Sequence, residues 1–105
     1  MSSGVVAIDA QGEVVMLNPG AQCILGCPEG EPSDAFGKPC REVLGLQPTV
    51  ARLLLETLDG RAALSRAELV LKGVRGELES TIGFTLTPVW NSQGEVRGAA
   101  IIFAT

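Results

Sequence analysis

Strand-like and helix-like patterns occupy separate parts of this chain. Two short segments rich in β-branched residues, 4–9 and 13–17, come first, and helical patterns follow them. After Gly60 the spacing of the apolar residues changes from about 3.6 to about 2, the change from a helical to a strand period. Because strands and helices do not alternate, this order favours an α+β fold, an antiparallel sheet with helices covering one face.

A tetrapeptide, Gln-Gly-Glu-Val, occurs twice, at positions 11–14 and 93–96. The first copy follows Asp9 and the second follows Asn91, and Asp, Asn and Gly are residues that tight turns favour. The sequence around the two copies does not otherwise repeat, so a repeat architecture is not indicated. We predict that both copies form the same hairpin turn.

Two helices are predicted between the strand-like segments. Asn18 and Pro19 suit the N-cap and the first turn of a helix, and Gly26 suits its end. Apolar residues at helical spacing predict a second helix over 49–58, with Thr49 as its N-cap.

The remaining segments are predicted from their breakers and their alternation. Proline and glycine interrupt residues 27–39, which indicates an irregular loop with Phe36 as its large apolar anchor, and one further helical turn is predicted near Leu44. Alternating patterns then predict three strands, the second of them ending at Pro88.

Length and composition exclude several classes of protein. The chain has 105 residues, the length of one domain, and 46% of them are hydrophobic, which is enough for a core. A net charge of −4 without a basic cluster argues against nucleic acid as a partner. No apolar run is long enough for membrane insertion and no signal peptide is recognisable, so we expect this segment in the cytoplasm even if a parent protein is membrane-anchored.

The residue types that carry most catalysis are scarce. Histidine is absent, which removes the commonest general base, metal ligand and haem ligand, and no nucleophile–base pair is found. Cys23, Cys27 and Cys40 could supply three thiolates to zinc or an iron–sulfur cluster, but a fourth ligand is not apparent. Spacing places Cys23 on the inner face of its helix, and packing is the simpler role for a free cysteine. We predict no enzyme activity, no catalytic residue and no metal site.

Several stretches, in this order and spacing, match a known family: Gly-Val-Val-Ala-Ile-Asp with Gly12 (4–12), Val-Met-Leu-Asn-Pro-Gly-Ala (15–21), Leu-Gly (25–26), Gly-Lys-Pro (37–39), Thr-Pro-Val (87–89) and Gly-Ala-Ala-Ile-Ile-Phe (98–103). With them the chain resembles a PAS domain, or sensory box, of bacterial signalling proteins such as sensor histidine kinases. The resemblance implies a PAS-like five-stranded antiparallel sheet in the order 2-1-5-4-3, with helices over one face enclosing a small cavity. It also implies that residues 1–105 are a single domain taken from a larger protein.

The resemblance places a set of apolar side chains around that cavity, where they could line a ligand pocket. The set consists of Val6, Ile8, Val15, Leu17, Leu25, Phe36, Leu44, Leu54, Ile82, Phe84, Leu86, Ile101 and Phe103. A recognition site usually adds a few converging polar groups, so a filled core and a pocket for a small apolar ligand both stay open.

Cofactors of the family are disfavoured by this sequence. The Asn-Cys-Arg-Phe-Leu-type motif of the light-sensing members is missing, and the resemblance places Ile82 and Phe103 where polar amides would contact a flavin. The chain has no histidine, the residue that usually ligates haem iron. No cofactor is predicted.

The first, second and last strands are apolar at both alternating positions, although a sheet covered on one face should turn polar residues to water. In the implied strand order these outward residues are neighbours, and large exposed apolar patches mark interaction sites. The predicted dimer or flanking-helix face consists of Val5, Ala7, Val14, Met16, Ala100 and Ile102. The alternative is that these residues only favour strand geometry.

Together, the patterns and the resemblance predict a non-catalytic sensory and dimerisation module of a signalling protein, specifically a sensor histidine kinase. Its partners would be a second copy, flanking helices of the parent protein and a small apolar ligand. Two alternatives stay open: a constitutive, ligand-free homodimerisation scaffold, and a cysteine-based metal or redox sensor.

Overall fold

The structure, a computed structural model, describes residues 4–26, 32–45, 47–60, 64–71 and 79–104. Its elements in chain order are β1 (Gly4–Asp9), β2 (Val14–Leu17), α1 (Pro19–Leu25), a 3-10 turn (Pro32–Ala35), α2 (Cys40–Val43), α3 (Pro48–Leu58), β3 (Leu64–Leu71), β4 (Ser80–Trp90) and β5 (Val96–Ala104).

The five strands form one antiparallel sheet in the order β2-β1-β5-β4-β3. Helix α1 packs on β1, and α3 packs on β5 and β4. The α+β class predicted from the sequence pattern and the strand order 2-1-5-4-3 implied by the family resemblance are both confirmed.

The first hairpin turn is held by the side chain of Asp9. Its Oδ1 accepts the backbone N–H groups of Gln11 (2.9 Å) and Glu13 (3.0 Å). Gly12 then takes a φ of +80°, a conformation that is strained for residues with a side chain.

The second turn repeats these bonds at the other copy of the tetrapeptide. Asn91 Oδ1 accepts the N–H groups of Gln93 (2.9 Å) and Glu95 (3.0 Å), and Gly94 has a φ of +79°. An amide oxygen replaces a carboxylate oxygen with the same geometry, so the prediction of one turn used twice is confirmed.

A β-bulge follows the first turn. Ile8 pairs with Val14, but the preceding residue of β1, Ala7, pairs with Met16, so Val15 is an extra residue on β2. Two residues therefore oppose one, and the side-chain alternation of β2 is broken.

The bulge overturns the sequence assignment of two neighbouring valines. Val14 and Leu17 are both buried, whereas Val15 and Met16 are 48% and 44% exposed. The predictions that Val15 faces the cavity and that Val14 faces outward are therefore wrong, because strict alternation was assumed across an inserted residue.

A second bulge lies at the start of β5. Val89 pairs with Gly98, and the register shift beside this pair leaves Arg97 as the extra residue. A Cβ on Gly98 would overlap the carbonyl oxygen of Ile8 on β1, so glycine permits the close approach of these two strands.

Two element boundaries differ from the prediction. Helix α3 begins at Pro48, which suits the first helical turn, and its N-cap is Gln47 rather than Thr49. Strand β4 continues past Pro88 to Trp90. Beyond the Leu64–Leu86 pair, β4 is paired only with β5 among the described residues, and proline is tolerated at such an edge.

Asn18 joins α1 to β1. Its Oδ1 accepts the N–H of Ala21 as the N-cap and also the N–H of Val5, both at 2.9 Å, while its own N–H donates to the Val5 carbonyl. The helix ends at Gly26, which has a φ of +66°, as predicted.

We expect Asn18→Ala to lower the free energy of unfolding by about 1–3 kcal/mol, because two backbone donors lose their shared acceptor. Asn18→Asp keeps an oxygen at the helix N-terminus and should lose less. Urea titrations of both variants measure the difference. Equal losses for alanine and aspartate would show that the accepting oxygen does not stabilise this junction.

Candidate functional site

The inner face of the sheet is where the sequence placed a ligand cavity. Of the proposed lining set, ten side chains are buried in one cluster: Val6, Ile8, Leu17, Leu25, Leu44, Leu54, Phe84, Leu86, Ile101 and Phe103. Ile82 is half-buried and packs against them. These residues share one core, and their role in ligand binding stays a prediction.

Phe36 does not belong to this cluster, although it was expected to close the cavity. It is 43% exposed and lies in the turn after the 3-10 segment. The Gly37 N–H donates to the Val14 carbonyl, so the backbone of this turn lies along the edge of β2, and Ala35 packs against the core instead.

Some buried residues were not predicted as part of the site. Val50 and Ala51 of α3 are buried beside Leu54, and their helical spacing was a usable signal. Two buried polar residues, Gln47 and Thr57, were also missed; the Thr57 hydroxyl donates to the Leu53 carbonyl at 2.8 Å. Bonds of this kind to the preceding turn of a helix let a polar side chain lie in a core.

The cysteines do not come together as a metal site in the described part of the chain. Cys40 is buried and Cys23 is exposed, while Cys27 lies outside the described residues. The prediction that Cys23 faces inward is wrong, because Ala21 and Leu25 hold the buried positions of α1. Across the described ranges, no three His, Cys, Asp or Glu side chains are grouped to hold a metal ion.

Burial raises the pKa of the Cys40 thiol, and the nearby positive charge of Arg41 offsets part of this effect. A raised thiol pKa keeps Cys40 protonated near neutral pH, and a protonated thiol is a poor nucleophile and metal ligand. Cys40 therefore fits a packing role.

The outer face of the sheet carries two neighbouring rows of residues across the strands. The strand pairings put Met16, Ala7, Ala100 and Thr87 in one row, and Val5, Ile102 and Thr85 in the next. Cross-strand partners point to the same face. With the bulge residue added, the apolar members form what we call the outer patch: Val5, Ala7, Val15, Met16, Ala100 and Ile102.

The outer patch is partly open to solvent. Val15 and Met16 are exposed, and Val5, Ala7, Ala100 and Ile102 are half-buried. Thr85 and Thr87 continue its rows on β4, and no member of the patch is charged. An uncharged apolar centre beside polar residues is the composition of a protein interaction surface.

A profile described as the PAS fold matches residues 1–105 of the chain, which therefore belongs to the PAS family. The family assignment made from the sequence motifs is confirmed. No curated protein sequence matches the chain significantly.

Solved structures share this fold at low sequence identity. The PAS domain of histidine kinase ThkA, in a doubly substituted selenomethionine form, is 12% identical over 100% of both chains, with a TM-score of 0.73. A chain of the E. coli DhaR(N)–DhaL complex is 20% identical, with a TM-score of 0.69; the match covers 100% of this chain and 31% of that one. The light-state dimer of the fungal blue-light photoreceptor Vivid is 15% identical, with a TM-score of 0.64, over 98% of this chain and 77% of that one.

The helices among the described residues are all too short or too polar to cross a membrane.

Proposed function

We propose that this PAS domain is a non-catalytic sensory and dimerisation module of a signal-transduction protein, specifically a sensor histidine kinase. Membership of the PAS family and the fold shared with the PAS domain of histidine kinase ThkA support the signalling role. The observation that supports the proposed dimerisation is the outer patch, an apolar surface on three adjacent strands of the sheet.

A second copy of the domain is the occupant that we propose for the outer patch. Each copy carries a net charge of −4, but the patch itself contains no charged side chain. Two copies can therefore meet through it without placing carboxylates opposite one another, and a twofold arrangement would bury the same residues on both sides. The Vivid structure is that of a dimer, which supports self-association as a use of this fold.

The proposed signal relay rests on β5, whose side chains alternate between the inner and the outer face of the sheet. Ile101 and Phe103 are buried in the core, whereas Ile102, between them, belongs to the outer patch. Displacement of β5 by a small apolar ligand on the inner face would therefore also move the proposed dimer contact. Such a ligand changes the output only if it binds one arrangement of the strands more tightly than the other.

We propose further that the domain acts in the cytoplasm without haem or flavin. The absence of histidine and the apolar character of Ile82 and Phe103 support the absence of haem and flavin. The flanking helices of a parent protein would connect the sheet to the output domain.

Self-association is tested by placing glutamate at exposed or half-buried apolar positions of the sheet, inside and outside the outer patch. We expect Val15→Glu and Ile102→Glu to weaken dimerisation by about tenfold or more, because each places a charge in a surface that must lose water on association. Val70 is 54% exposed on β3, outside the outer patch, so Val70→Glu is the control and should dimerise like the wild type. Analytical ultracentrifugation measures association, and circular dichroism verifies the fold.

Two results would contradict dimerisation through this surface. One is a wild-type protein that stays monomeric up to its highest soluble concentration. The other is an equal effect of all three substitutions, which would indicate a general effect of added negative charge rather than a loss of specific contact.

A further inference from the structure

An open cleft of about 360 Å³ lies between the first hairpin turn, the C-terminal end of α3 and the start of β5. None of its lining residues belongs to the outer patch or to the predicted inner-face set. The lining consists of Ala10, Gln11, Gly12, Arg41, Leu55, Leu58, Asp59 and Val96.

Two opposite charges line this cleft. Arg41 lies on α2, Asp59 follows the last residue of α3, and both are exposed. The ion pairs between described residues are Arg52–Glu56 and Arg97–Glu95, so neither Arg41 nor Asp59 is neutralised by a described partner. The cleft therefore offers one cationic and one anionic group to a ligand.

Three apolar side chains contribute to the rest of the lining, beside Gln11. Leu55, Leu58 and Val96 are half-buried, so each presents part of its side chain to the cleft. Gly12 of the hairpin turn also lines the cleft, and a Cβ at this position would lie 3.1 Å from Leu55 Cδ2 on α3. Glycine at this position therefore lets the turn pack closely on α3 at the edge of the cleft.

From this combination we propose that the cleft binds a zwitterionic α-amino acid with an aliphatic side chain. The Arg41 guanidinium would bind the ligand carboxylate, an acceptor that matches its planar donors. The Asp59 carboxylate would accept from the ligand ammonium group. The aliphatic side chain would lie against Leu55, Leu58 and Val96.

Size and charge both favour this class of ligand over others. The cleft volume is at the low end of the range for ligand sites, about 300–1,000 Å³, and so suits a small molecule. A simple anion would be repelled by Asp59, and a simple cation by Arg41. A zwitterion satisfies both groups at once. Because the cleft is open, we expect weak binding, with a Kd on the order of 1 mM.

The proposal is tested by titrating the full ¹⁵N-labelled chain with L-leucine and following the amide spectrum. We expect saturable shifts at Gln11, Gly12 and Val96. Isocaproate, which lacks the ammonium group, and isopentylamine, which lacks the carboxylate, should each bind about tenfold more weakly or worse. Glycine, which lacks the aliphatic side chain, should also bind more weakly.

Substitutions assign the two charged contacts. Arg41→Gln and Asp59→Asn should each weaken leucine binding by about tenfold. Arg52→Gln is the matched control, because Arg52 is an exposed arginine of α3 that does not line the cleft, and it should bind like the wild type. The absence of saturable shifts, shifts confined to the inner core, or unchanged binding by Arg41→Gln would each overturn the proposal. None of these outcomes depends on dimerisation, so this site and the proposed function are tested separately.

Discussion

Replacing Phe103 with alanine is expected to lower the free energy of unfolding by about 3–5 kcal/mol. Phe103 is fully buried at the centre of the sheet, where it pairs across the strands with Phe84. Its removal takes apolar surface out of the core and leaves a cavity that the rigid strands on either side can fill only in part. Because domains of this size are stable by only about 5–15 kcal/mol, the melting temperature should fall markedly.

Phe36→Ala is the matched control for this substitution. Phe36 is the same residue type but is 43% exposed, and we expect a loss below about 1 kcal/mol. Urea unfolding of both variants, followed by circular dichroism, measures the two free energies. A loss below about 1 kcal/mol for Phe103→Ala would contradict its place in a packed core, and a large loss for Phe36→Ala would contradict the exposed turn.

Local signals explain why the hairpin turns and the ends of α1 could be predicted from the sequence, whereas the strand order was implied by the resemblance to PAS domains. Asp9 and Asn91 precede the same tetrapeptide, and each side chain holds its turn through the same two backbone donors. Asn18 and Gly26 likewise fix the two ends of α1 with their own bonds and backbone angles. In these cases the residues that carry the signal also make the stabilising contact.

The errors concern features that no short segment encodes. Val15 is an extra residue only in relation to Ala7 on the neighbouring strand, so the register of β2 depends on a pairing and not on its own pattern. Spacing predicted Cys23 on the inner face of its helix, and Phe36 was predicted to face inward as the large apolar residue of its loop. In the structure Ala21 is a buried position of α1 and Cys23 is not, and Ala35 rather than Phe36 packs against the core.

The residues of the candidate site could be predicted only in part, because strand register and helix packing decide which of them come together. The resemblance implied that Met16 and Ile102 face outward, and Met16 is exposed and Ile102 half-buried, but the bulge exchanges the positions of Val14 and Val15. The cleft at the hairpin end was not anticipated, since Arg41, Asp59 and Val96 are distant in sequence and meet only through the packing of α2, α3 and β5.

A second large loss of stability is expected when glutamate replaces Val14, but not when it replaces the adjacent Val15. Val14→Glu should unfold the domain or destabilise it by more than about 4 kcal/mol, because Val14 is fully buried and a carboxylate there has no water and no partner. Val15→Glu should cost less than about 1 kcal/mol, because Val15 is 48% exposed on the bulge. Circular dichroism melts of the two variants measure this contrast.

The pH dependence of the Val14→Glu variant gives a further check. Burial favours the neutral acid, so the introduced carboxyl should have a folded pKa above its ordinary value of about 4.3. The folded state then holds this proton more tightly than the unfolded state, and its stability relative to wild type falls as pH rises through and above that value. Lowering the pH should therefore narrow the gap between Val14→Glu and wild type, while the Val15→Glu gap should change little. If instead Val15→Glu is the damaging substitution and Val14→Glu is tolerated, β2 alternates regularly and the outer patch contains Val14 in place of Val15.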